Sequence, residues 1–182
     1  KAFFSGLVGQ SRSGLALLAS SDRASTTPVD SASIRSLIEA ASRHYAYVLL
    51  DVPRTDVMLD ALESSSRVIV VANQELATVR AATRLSASLR QRYGRDRLSV
   101  VISRFDQQSE IAQSDVERVL GSPVACTFPS NYRIALDALN AGRPLVLDNH
   151  NKLAAAITGV ARGLVETPET PAVTPRRPNG LL

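Results

Sequence analysis

Tyr45-Ala46-Tyr47-Val48-Leu49-Leu50-Asp51-Val52-Pro53-Arg54 is the stretch on which the fold turns. Ala46 to Leu50 are apolar in succession rather than in alternation. Such a run reads as a strand buried on both faces, the kind found inside parallel sheets. It delivers one acid, Asp51, and stops at Pro53, which cannot extend a central strand. An acid at the carboxyl end of a buried parallel strand stands where open α/β sheets bind their ligands.

The flanking sequence repeats this grammar. Gly14–Ser20 reads as a strand, and Ser21–Asp30 with Pro28 as a loop. A helix follows to about Arg43, capped by Ser31 or Ser33. Beyond the central stretch, Thr55 or Asp56 caps a helix carrying Val57, Leu59 and Leu62. Arg67–Ala72, Leu98–Ser103 and Val124–Phe128 are three more strands, the first two of the fully buried kind. Glu75–Tyr93 reads as a long helix closed by Gly94. Ser114 opens a helix ending at Gly121. Ser130 or Asn131 caps a helix through Asn140, and Asn151–Val165 is a last amphipathic helix. Strands alternating with helices predict an α/β fold, a parallel sheet with helices on both faces. The expected organisation is one domain over 1–165 and a Pro-rich disordered tail over 166–182.

Composition bounds the function. The net charge of +4 and pI near 9.7 permit weak attraction to nucleic acid or anionic lipid and argue for neither. There is no apolar run long enough to span a bilayer. The single cysteine, Cys126, excludes an internal disulfide, suits a reducing compartment and reads as packing. His44 and His150 are isolated, and without a Cys/His cluster zinc has no support. Gly6–Ser11 echoes a phosphate loop, but Gln10 stands where the lysine belongs, so it reads as a surface loop. The arginines at 80, 84, 90, 92, 95 and 97 read first as a solvated face, and second as a surface for nucleic acid or a partner.

Each strand ends in polar or turn residues: Asp51, Asn73, Ser103-Arg104 and Pro129-Ser130-Asn131. In a parallel sheet those ends converge on one rim. Asp51 alone fits two readings, a metal holder acting through water or a helix cap.

Four segments together carry a family resemblance: Tyr45–Thr55, Val68–Leu85, Val100–Val124 and Phe128–Val146. The chain resembles the MinD/ParA superfamily of deviant-Walker P-loop ATPases, and within it the CpaE or TadZ-like pilus assembly proteins. The resemblance implies ATP and Mg²⁺ as cofactors, bound in a nucleotide sandwich between two copies. It gives Asp51 the catalytic and metal role, holding Mg²⁺ through water, and puts Pro53 and Arg54 in a switch. Ser103, Arg104, Pro129, Ser130 and Asn131 would flank the adenine, although many members carry Asn where Ser103 stands. It implies a cytoplasmic, pole-directed protein that localises or assembles a type IV (Flp/Tad-type) pilus or secretion apparatus. Alternatives are a non-catalytic scaffold of the same fold and a ParA-like DNA-partition ATPase.

Two departures shape the expectation. The Gly-rich Walker A loop with its lysines should precede Gly14 and is not in this sequence, so the expectation is a fragment whose N-terminal strand and phosphate loop are missing. MinD-type members end in a basic amphipathic helix that binds membrane, whereas Pro168, Pro171, Pro175 and Pro178 break any helix here.

Overall fold

A computed structural model describes residues 6–19, 30–147 and 151–166. His150 and the Pro-rich segment from residue 167 lie outside the described residues. The chain divides into two units, Lys1–Ser65 and Ser66–Leu182.

In the first unit, β1 (Gly9–Gln10) pairs antiparallel with β2 (Ala16–Leu17). The Ser11 and Leu15 backbones close the turn, and the Ser11 hydroxyl accepts from the Leu15 N–H at 3.1 Å. Gly14 takes φ +84°, a conformation that costs a residue without a Cβ little. The strand expected over Gly14–Ser20 is therefore one arm of a short hairpin. Helix α1 (Ser31–Ser42) is capped by Asp30 rather than by a serine: its carboxylate accepts from the Ser33 N–H at 2.6 Å, which lowers its pKa. Ile34 and Ile38 of α1 bury themselves against Ala61 of α2 (Asp56–Ala61), with Met58 beside them.

Tyr45–Val52 departs from its expectation. It joins no ladder among the described residues, and Tyr47 and Leu49 are 61% and 87% exposed. A run apolar on both faces encodes burial between hydrogen-bonded neighbours. No described strand supplies them.

The second unit holds the parallel sheet, in the order β3 (Val68–Ala72), β4 (Leu98–Phe105), β5 (Cys126–Pro129). Ile69 pairs with Ser99, Val71 with Val101, and Ile102 with Thr127. Helix α3 (Leu76–Tyr93) packs on β3 and β4 through its buried face of Val79, Ala82, Ser86 and Leu89. Its C-terminus closes at Gly94, with φ +88°. Helix α4 (Gln113–Leu120) packs on α3 and ends at Gly121 in the left-handed region. Helix α5 (Tyr132–Asn140) follows β5, and α6 (Lys152–Glu166) packs on β5.

The helices lie on both sheet faces, as predicted. Val68, Val70 and Ala72 are buried on the α3 face, while Val160, Gly163 and Leu164 of α6 line a cavity of about 190 Å³ with Ile69, Ser99 and Val101 on the other. Val100, Val101 and Ile102 are buried in succession, the mark of a central strand covered on both sides. Strand β3 alternates instead, with Ile69 and Val71 exposed. Its expectation of burial on both faces fails because α6 sits over β5, at the far edge of the sheet.

Candidate functional site

Because β3, β4 and β5 are parallel, their carboxyl ends share one rim of the second unit. The ladder between β4 and β5 slips there. Ile102 pairs with Thr127 and Phe105 with Pro129, so β4 fits one more residue than β5 into the same interval. The extra residue falls at Ser103-Arg104, which is a β-bulge. Arg104 carries φ +52°, the one positive φ outside glycine among the described residues. A left-handed L-residue costs on the order of 1 kcal/mol, and such strain gathers at functional sites. The bulge re-aims both side chains. The Ser103 hydroxyl donates across to the Ala72 carbonyl at 3.1 Å, and Arg104 is exposed.

Gln74 knits this rim together. Its side-chain amide donates to the Ile111 carbonyl at 2.7 Å and its oxygen accepts from the Asp106 N–H at 2.7 Å. Gln74, two residues after β3, thus holds both ends of the loop between β4 and α4. Asn73 beside it buries a side-chain oxygen that has no hydrogen-bond partner, an unfilled acceptor at the rim. On the β5 side, the Ser130 N–H donates to the Phe105 carbonyl at 2.9 Å and fixes Pro129-Ser130 against the end of β4. Asn131 caps α5, its oxygen accepting from the Ile134 N–H at 3.2 Å. That oxygen is committed to the helix cap.

Ser103, Arg104, Pro129, Ser130 and Asn131 are therefore brought to one rim, within one unit. Asp51, Pro53 and Arg54 belong to the first unit, where all three are exposed just ahead of α2. The Thr55 N–H donates to the Pro53 carbonyl at 2.9 Å, so the chain turns sharply into the helix. Thr55 occupies the cap position without a side-chain cap bond. No group of three or more His, Cys, Asp or Glu able to hold a metal occurs among the described residues. Asp51 stands as a lone exposed carboxylate; Mg²⁺, which keeps its waters, can be held by one or two such groups together with substrate phosphates.

Gln74 is not among the residues the sequence singles out, although its neighbour Asn73 is one of the expected strand ends. Its bridging partners lie 32 and 37 residues away and leave no local pattern. Gly9-Gln10 lie in a hairpin, not between a strand and a helix, so the echo of a phosphate loop has no structural counterpart. Burial raises the Cys126 thiol, which keeps it protonated and fits the packing role. His44 meets the Ala40 carbonyl at 2.8 Å, beside the end of α1. No helix among the described residues is long and apolar enough to cross a membrane.

No protein-family model and no curated protein matches the sequence. Solved structures do. A ParA family ATPase from Chlorobium tepidum TLS superposes with a TM-score of 0.76 at 20% identity, covering 90% of this chain and 69% of that one. The MinC:MinD cell division protein complex of Aquifex aeolicus gives 0.75 at 22% identity, covering 96% and 71%. The septum site-determining protein MinD complexed with Mg-ADP from Pyrococcus horikoshii OT3 gives 0.64 at 18%, covering 75% and 57%. A parallel sheet between helices, read from the residues and matched by these structures, gives the chain the fold of the MinD and ParA ATPases.

Proposed function

We propose that residues 1–165 of this protein are the C-terminal portion of an ATP-binding domain of the MinD/ParA ATPase type. It works in the cytoplasm as an ATP-dependent dimer that localises or assembles a type IV (Flp/Tad-type) pilus or secretion apparatus. The observation that carries the reading is the shared fold, in which one structural neighbour is a ParA family ATPase and another is a MinD complexed with Mg-ADP. The strained, bulged rim at Ser103-Arg104 supports it, because bulges recur beside active sites. In this reading Asp51 holds Mg²⁺ through water, Pro53-Arg54 form a switch, and Ser103, Arg104 and Pro129–Asn131 flank the adenine. The four sequence segments resembling CpaE and TadZ-like proteins point to the pilus role.

The test is sedimentation of the full-length protein with Mg²⁺ and either ATP or ADP. Dimer formed with ATP and lost with ADP is the expected result. A protein monomeric in both sinks the nucleotide-sandwich reading. The second reading is a scaffold of the same fold, favoured by the basic exposed face of α3. A ParA-like role would instead bind nonspecific DNA with steep salt dependence.

A further inference from the structure

Helix α3 runs for 18 residues with four arginines and no acid. Two of the arginines are committed. Arg90 donates to the Leu120 carbonyl and the Ser122 hydroxyl, and Arg92 stacks over the Tyr93 ring. Arg80 and Arg84 are exposed, and among the described residues neither guanidinium has a hydrogen bond or ion pair. They stand one turn apart on a stripe that begins at Leu76, which is 57% exposed, and continues to Ser88. Ala77, Ala87 and Ser88 on the same exposed surface are small.

We infer that this stripe docks an acidic amphipathic helix of a second protein. The inference rests on the reading above that the protein docks assembly partners. Carboxylates four residues apart on a helix are spaced roughly 6 Å along its axis, the spacing of Arg80 and Arg84 themselves. Small residues let two helices approach to about 8–10 Å. Leu76 then receives an apolar residue one turn beyond the acids. Nucleic acid fits less well. A protein tracking a phosphate backbone makes on the order of 6–10 charge contacts, whereas this stripe offers two free guanidinium groups and no exposed aromatic ring.

The test uses three labelled probes on the full-length protein: a designed helical peptide with two Glu one turn apart and a Leu one turn beyond, its Glu→Gln counterpart, and a random DNA duplex. Fluorescence anisotropy is read at low salt and repeated at several-fold higher salt. The acidic peptide should bind, and Arg80→Gln with Arg84→Gln should weaken it roughly tenfold at low salt, with a smaller gap at high salt. The Gln peptide should bind about as weakly to the native protein. Equal binding of both peptides, or peptide binding that survives the double substitution, overturns the proposal. Duplex bound more tightly than the peptide and released by the same substitutions overturns it in favour of nucleic acid. Nucleotide-independent self-association abolished by the substitutions overturns it in favour of a second copy. Mg-ATP binding is measured on the same samples. If it is absent while the peptide still binds, the nucleotide reading fails and the docking surface stands; the converse fails only the docking surface.

Discussion

Replacing Gln74 by Ala removes the one side chain that holds both ends of the loop between β4 and α4. Two bonds are lost, each 2.7 Å long, to the Ile111 carbonyl and from the Asp106 N–H. A net contribution of about 0.5–1.5 kcal/mol per bond puts the loss at roughly 1–3 kcal/mol. Gln74 is half-buried and the Asp106 amide is exposed, which favours the lower half of that range. In a domain of this size the thermal midpoint should fall by about 2–6 °C. The informative readout is amide exchange. The Asp106 amide should lose its protection in Gln74→Ala and keep it in Gln74→Glu, which retains an acceptor for that N–H. Gln74→Glu should still lose stability, because its carboxylate would face the Ile111 carbonyl with no donor between them. An Asp106 amide as protected in Gln74→Ala as in the native protein, with an unchanged midpoint, would refute the reasoning.

Ser86 is 1% exposed and its hydroxyl has no partner, so Ser86→Ala should stabilise the protein by about 1 kcal/mol, read as a higher urea midpoint. A lower midpoint would mean that the hydroxyl is satisfied. Ile102, fully buried in the central strand, should cost about 2–5 kcal/mol when cut to Ala, while Ile69→Ala on the open face of β3 should cost far less; equal costs in denaturant titration would contradict the assignment of faces. Glu117 accepts from the Gln113 side chain and the Val124 N–H, which together hold its pKa below the ordinary 4.5. Its contribution is therefore present above pH 4.5 and is lost as the pH falls through the lower folded value. Thermal midpoints should drop more steeply below pH 4.5 in the native protein than in Glu117→Gln, and parallel curves would remove Glu117 from the account.

Much of the second unit was legible in sequence because its signals are local. Val68–Ala72 and Leu98–Ser103 are β-branched runs bounded by polar residues, and both are strands. Gly94 and Gly121 stand where helices must stop, and both take positive φ there. Asn131 was one of two expected caps and makes the bond. The alternation on β3 was hidden, because apolar residues occupy both faces whether or not a helix covers them. The same ambiguity misled the reading of Tyr45–Val52, whose composition specifies neighbours that only tertiary pairing can supply. The hairpin at Gly9–Leu17 is illegible in sequence for a different reason: two-residue strands carry no period. At the candidate site, the convergence of strand ends followed from parallel topology. The bulge, the left-handed Arg104 and the Gln74 bridge did not, since each depends on register between strands far apart in sequence.

The central claim is a nucleotide site in which Asp51 serves the metal. It is tested most directly by calorimetric titration of ATP with Mg²⁺ into the full-length protein and into Asp51→Ala. The account predicts saturable binding by the native protein and markedly weaker binding by the variant, with the difference shrinking when Mg²⁺ is withheld. Equal binding by both would take Asp51 out of the site, and no binding by the native protein would contradict the nucleotide reading and favour the scaffold.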